Sequence, residues 1–79
     1  MKKRVRVYTA PSCPYCVLAK QFLREHNIDF EEVDVSRDRR AAMELVAKSG
    51  QMGVPVIEVG DEIIVGFDVR RLKEALNLK

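Results

Sequence analysis

The spacing of apolar residues changes along the chain and predicts that strands and helices alternate. Val5 and Val7 alternate with other residues, a period of two that predicts a strand over about residues 3–9. From Pro14 the apolar residues recur every three or four positions, which predicts an amphipathic helix to about His26. The predicted apolar face of this helix comprises Tyr15, Leu18, Ala19, Phe22 and Leu23.

A second strand and a second helix follow. Residues 28–35 predict the strand, with an irregularity at the polar pair Glu31-Glu32. Ser36 or Asp38 can cap the helix, which runs to about Ser49 and stops at Gly50, a residue suited to a left-handed helix end. Its predicted buried residues are Ala42, Leu45 and Val46.

The last third of the chain predicts a hairpin and a short helix. Residues 54–59 and 62–65 predict two strands joined by a tight turn at Gly60-Asp61. Asp68 is the expected cap of the last helix, whose predicted buried residues are Val69, Leu72 and Leu76. The order is therefore βαβ followed by ββα, an α/β chain. The first unit requires a parallel strand pair, and the hairpin completes a four-stranded mixed sheet with helices on both faces.

Composition narrows the classes of protein. A chain of 79 residues predicts a single domain over residues 1–79. The net charge of +2 is too small to indicate nucleic-acid binding, and the absence of an 18-residue apolar run argues against a membrane span. Basic residues open the chain, but no apolar export segment follows them. We therefore expect a monomer in the reducing cytoplasm, with neither nucleic acid nor membrane as partner.

The two cysteines form the motif Cys13-Pro14-Tyr15-Cys16 at the junction of the first strand and helix. Their spacing puts them one helical turn apart, close enough to form a disulfide. The unpaired N–H groups and the dipole of a helix start favour a thiolate at the first cysteine. Cysteines in such motifs can have pKa values of roughly 3.5–7.5 instead of about 8.5. We expect Cys13 to be the nucleophile and Cys16 to resolve the mixed disulfide.

Two other interpretations of the cysteine pair are open. A structural zinc site needs four ligands, and the chain has two cysteines and one histidine, His26, at the far end of the helix. We therefore expect no metal. A purely structural disulfide suits a small secreted domain, but a loop this short constrains the unfolded chain little.

The motif and its surroundings resemble the glutaredoxins of the thioredoxin superfamily. The resemblance spans nearly the whole chain and rests on Tyr8-Thr9, the cysteine motif, Ala19-Lys20, Phe22-Leu23, Ser49-Gly50, Val54-Pro55 and Gly66-Phe67-Asp68. It implies a thioredoxin-like α/β fold. It also implies that Pro55 is cis and that Val54 lies beside Cys13, with its backbone paired to an extended substrate and its side chain facing solvent.

The resemblance implies the site residues as well. Cys13 and Cys16 are the implied catalytic residues. The implied substrate-binding or glutathione-binding residues are Pro14, Tyr15, Val54, Pro55, Gly66, Phe67 and Asp68. No cofactor is expected to be bound, and glutathione is the expected co-substrate. The implied partners are disulfide-containing proteins together with glutathione or thioredoxin reductase.

Two departures from the family pattern concern glutathione. Many glutaredoxins have a lysine three residues before the first cysteine, where this chain has Ala10. The family's Gly-Gly-x-Asp-Asp segment reads Val65-Gly66-Phe67-Asp68-Val69, which removes one acidic contact. We therefore expect weaker recognition of glutathione.

The functional prediction is a dithiol oxidoreductase that reduces protein disulfides or mixed disulfides with glutathione. One alternative is a donor fed by thioredoxin reductase, for example to ribonucleotide reductase. Another is an iron–sulfur cluster shared by two chains with two glutathiones, which the stiffening effect of Pro14 disfavours.

Overall fold

The computed structural model describes residues 4–78 of the chain. Its elements are β1 (Val5–Thr9), α1 (Pro14–Glu25), β2 (Glu31–Asp34), α2 (Arg39–Ser49), β3 (Val56–Val59), β4 (Glu62–Val65) and α3 (Val69–Ala75). The predicted order of the elements is confirmed. The first strand begins at Val5, and residue 3, where it was predicted to begin, lies outside the described part. β2 is shorter than predicted. Ile28 and Phe30 precede it, and their side chains are half-buried against the core.

The four strands form one mixed sheet in the order β2-β1-β3-β4. β1 and β2 are parallel, with Tyr8 opposite Val33, whereas β1 and β3 are antiparallel, with Tyr8 opposite Val56. Because β1 and β3 run in opposite directions, the start of β3 lies beside the end of β1. The Val54-Pro55 dipeptide is therefore brought next to the segment that carries Cys13.

Helices cover both faces of the sheet, as predicted. On one face, α1 and α3 pack in the larger core, formed by Val5, Val7, Ala19, Phe22, Leu23, Ile57, Val59, Ile64, Leu72 and Ala75. On the other face, α2 contributes Leu45 to a smaller core with Tyr8 and Val56. Within residues 4–78 no helix is long and apolar enough to cross a membrane.

The helix boundaries follow from their capping residues. The carboxylate of Asp38 accepts the amide N–H of Ala41 at 3.1 Å, and that of Asp68 accepts the amide N–H of Arg71 at 3.1 Å. Gly50 ends α2 in the left-handed conformation, with φ of 78°. Ser36, the alternative cap of α2, hydrogen-bonds to Asp34 instead.

The helices bury fewer large side chains than predicted. The predicted apolar positions that are only half-buried or exposed are Tyr15, Leu18, Ala42, Val46, Val69 and Leu76. Each helix buries an alanine: Ala19, which was predicted, and Ala41 and Ala75, which were not. A sheet of four short strands covers a narrow stripe of each helix, and small side chains in that stripe let the helix approach the sheet closely.

Candidate active site

Cys13 is the N-cap residue of α1. Its backbone is extended, its carbonyl accepts the amide N–H of Val17 at 3.2 Å, and Pro14 occupies the first helical turn. The Cys13 sulfur also accepts the amide N–H of Cys16 at 3.2 Å. Pro14 loses nothing at this position, because an N–H there would have no partner within the helix. The sulfur therefore lies where the helix N-terminus favours negative charge.

Cys13 and Cys16 form a disulfide with their Cα atoms 5.2 Å apart. The two residues differ in their exposure to solvent. Cys16 is 1% exposed, whereas Cys13 is only half-buried. A dissolved or protein-borne reagent therefore has access to the first sulfur rather than the second.

The segment before β3 forms the second wall of the site. The Val54–Pro55 peptide bond is cis, which confirms the expectation drawn from the resemblance. The carbonyl oxygen of Val54 lies 3.9 Å from the sulfur of Cys13. The amide N–H of Gly66 donates to the carbonyl of Pro55 at 2.8 Å, so the loop before α3 is attached to the same segment. Gly66 has φ of 83°, a conformation that favours glycine.

The surroundings of four predicted site residues are now defined: Asp68 caps α3 as expected, whereas Val54, Tyr15 and Phe67 add what the sequence left open or misjudged. The side chain of Val54 does not simply face solvent: it is half-buried and packs against the smaller core. Tyr15 is 63% exposed and available to a partner. Phe67 packs against the larger core, edge to face with Phe22 at 6.1 Å between ring centroids. The carboxylate of Asp68 caps α3.

Two features of the site escaped the sequence analysis. Ser12, directly before Cys13, has φ of 62°, the left-handed region that few residues other than glycine adopt. The dipeptide Pro11-Ser12 signals a turn but not this conformation. The second feature is the environment of Lys20, a residue outside the predicted apolar face of α1. Its side chain is only 19% exposed and pairs with Glu32 on β2 at 2.7 Å.

Lys20 also lines a cavity of about 380 Å³ beside the disulfide. The other walls of the cavity are residues 9–14, Cys16 and Val17. Asp34 ends β2 opposite Thr9, at the same end of the sheet. Hydrogen bonds from the hydroxyl and the amide of Ser36 lower the pKa of Asp34, and the charges of Arg37 and Lys20 act in the same direction. Within residues 4–78 no cluster of three or more histidine, cysteine or acidic residues could hold a metal ion.

Comparison with known proteins identifies the family. A family model described as glutaredoxin matches residues 5–64, from β1 into β4. The chain belongs to the glutaredoxin family. The match includes both cysteines and the Val54-Pro55 dipeptide, so the cysteine pair of this glutaredoxin is that of a thiol oxidoreductase.

Individual relatives agree with this assignment. A glutaredoxin-like 8.6 kDa protein in the rubredoxin operon of Clostridium pasteurianum is 42% identical over 64 residues, 81% of this chain and 85% of that protein. The crystal structure of the thioredoxin-like protein BC3987 is 34% identical, with a TM-score of 0.87 over 92% of this chain and all of that one. The glutaredoxin-like NrdH-redoxin of Escherichia coli is 30% identical, with a TM-score of 0.82 over 90% of this chain and 92% of that one. These structures share the thioredoxin-like fold.

Proposed function

We propose that this glutaredoxin reduces disulfides of proteins, or mixed disulfides with glutathione, through a Cys13/Cys16 couple. The observation that carries the proposal is the unequal placement of the two sulfurs. Cys13 is half-buried at the N-cap of α1, whereas Cys16 is 1% exposed directly behind it. The first sulfur can meet a substrate, and the second can reach only the first.

In the proposed reaction the thiolate of Cys13 attacks one sulfur of the substrate disulfide. A bond forms between Cys13 and that sulfur, and the other substrate sulfur leaves as a thiolate that takes up a proton. The thiolate of Cys16 then attacks Cys13, which releases the second substrate thiol and forms the internal disulfide. Two electrons pass to the substrate, and an external reductant must restore the dithiol.

The polypeptide around the couple supports binding of an extended substrate segment. The carbonyl oxygen of Val54 lies 3.9 Å from the sulfur of Cys13, so a backbone acceptor faces the redox pair. An extended peptide can pair with the backbone of this segment as an added strand. Tyr15 offers an exposed ring beside the couple. Charged side-chain contacts are not needed from the remaining predicted residues. The backbone would be what positions the substrate at Pro14, Phe67 and Asp68.

Single cysteine variants test the proposed roles. Cys16→Ser should accumulate a mixed disulfide between Cys13 and a substrate disulfide, because the resolving step is missing. Cys13→Ser should form none, because a serine hydroxyl is scarcely ionised at neutral pH. Intact-mass spectrometry under denaturing conditions separates the two variants. A stable adduct on Cys16 in the Cys13→Ser variant would contradict the assignment.

Glutathione and a flavoprotein thioredoxin reductase are the two candidate reductants. The absence of a charged side chain at Ala10 and Val69 weakens the case for glutathione. The similarity to NrdH-redoxin, a structure described as explaining a thioredoxin-like activity profile, favours the reductase. Either source suits a reducing cytoplasm. Rates of reduction of the oxidised protein by glutathione, and by thioredoxin reductase with NADPH, distinguish the two.

A further inference from the structure

Within residues 4–78, the cavity beside the redox pair is lined by one charged side chain, that of Lys20. The other lining residues, among them Ala10 and Cys13, are uncharged. Cys13 and Lys20 are seven residues apart, which places them on nearly the same side of α1 and about 10 Å apart along its axis. A ligand with its sulfur at Cys13 could therefore extend toward this ammonium group.

The partners of Lys20 determine whether its charge is available. The side-chain nitrogen of Lys20 lies 2.7 Å from a carboxylate oxygen of Glu32. Asp34 also interacts electrostatically with Lys20, but its carboxylate accepts a hydrogen bond from the hydroxyl of Ser36 and pairs with Arg37 at 3.7 Å. Glu32 is therefore the group that competes directly with a ligand. Its side chain is 42% exposed, so it can turn into solvent, and a pair of this kind contributes little to stability.

We propose that Lys20 is a specificity-determining residue that binds a carboxylate of the disulfide substrate while the substrate sulfur lies at Cys13. The substrate carboxylate replaces Glu32 as the partner of the ammonium group, so a charged pair is exchanged rather than broken. The preferred substrates are accordingly disulfides with a carboxylate within about 10 Å of the reacting sulfur, such as a cysteine close to a chain terminus or an acidic side chain. This inference rests on the proposed function of the Cys13/Cys16 couple.

The test compares two disulfide-linked peptide dimers of sequence Ser-Cys-Gly-Gly, which differ only in a C-terminal carboxylate or amide. The reduced protein is mixed with an excess of each dimer, so that each Cys13/Cys16 dithiol is oxidised once as one dimer is reduced to two peptide thiols. The initial rate is followed as a function of peptide concentration, and KM denotes the concentration that gives half the maximal rate. We expect the parent protein to have a KM about fivefold lower for the carboxylate than for the amide. Lys20→Gln should remove this difference by raising only the KM for the carboxylate, and Lys20→Arg should retain it.

Two further variants separate a local contact from net charge. Glu32→Gln should lower the KM for the carboxylate peptide, because the competing internal carboxylate is gone. Lys48→Gln removes a lysine that is also paired to a strand glutamate, Glu58 at 3.0 Å, but that does not line the cavity. This control should leave the ratio of the two KM values unchanged.

The outcomes distinguish the inference from the proposed function. Equal KM values for both peptides in the parent protein, or a ratio that Lys20→Gln leaves unchanged, would overturn the role of Lys20 and leave the dithiol reaction intact. A loss of the ratio in Lys48→Gln as large as in Lys20→Gln would also overturn it, since net charge would then explain the preference. If the parent protein reduces neither dimer, the proposed function fails, and the inference fails with it.

Discussion

The attachment of α2 to the sheet depends on one large side chain, Leu45. Leu45 is 0% exposed and packs with Tyr8 and Val56, whereas its neighbour Val46 is 37% exposed. Truncating a buried leucine to alanine costs 2–5 kcal/mol, and we expect about 3 kcal/mol for Leu45→Ala, because half-buried neighbours can partly close the cavity. Val46→Ala on the same helix should cost less than about 1 kcal/mol.

The expected loss is large relative to the whole protein. At the usual stability per residue, a chain of 79 residues unfolds with a free energy of about 4–12 kcal/mol. Urea unfolding of both variants, compared at equal slope with the parent protein, measures the two losses. Because Val54 packs on the same small core, Leu45→Ala should also slow disulfide reduction at a temperature where the variant is still folded. A loss for Leu45→Ala no larger than that for Val46→Ala would refute this account of the second core.

Two other predictions concern glutathione and pH. The double variant Ala10→Lys, Val69→Asp should lower the KM for glutathione about tenfold, because it supplies a charged contact at each end of the tripeptide; an unchanged KM in steady-state assays would show that these positions do not face glutathione. Hydrogen bonds from Ser36 lower the pKa of Asp34 in the folded protein, so the ionised carboxylate stabilises the fold. This contribution is fully present above the ordinary pKa of an aspartate and is lost as the pH falls through the lower pKa of the folded state. In the Asp34→Asn variant the melting temperature should therefore fall less steeply as the pH is lowered below about 4. The same dependence of melting temperature on pH in the variant and the parent protein would argue against this contribution.

Much of the fold could be predicted because its signals are local. The caps Asp38 and Asp68 and the left-handed Gly50 each act within one turn of chain, and the structure confirms all three. The buried faces of the helices could not be predicted as well, because they depend on how much of each helix the sheet covers. Val46 and Val69 fit the helical period but lie beyond that covered stripe.

The same distinction applies to the site. The pairing of Cys13 with Cys16 depends on neighbouring positions in sequence and could be predicted from the motif. The packing of Val54 on the smaller core and the pair between Lys20 and Glu32 join distant parts of the chain. A pattern of polar and apolar residues assigns Lys20 and Glu32 to solvent, and only the register of β2 beside β1 brings Glu32 to the helix. The solvent-facing side chain of Val54 is an expectation from the family resemblance.

The central claim is that Cys13 is the cysteine that attacks the substrate. It is tested most directly by finding which cysteine of the reduced protein reacts first with a limiting amount of alkylating reagent. The fully reduced chain is treated with less than one equivalent of iodoacetamide at about pH 7, and the labelled cysteine is identified by peptide mass spectrometry. The half-buried Cys13, the buried Cys16 and the N-cap position of Cys13 predict that nearly all the label is on Cys13. Preferential labelling of Cys16 would contradict the assignment of Cys13 as the residue that attacks the substrate.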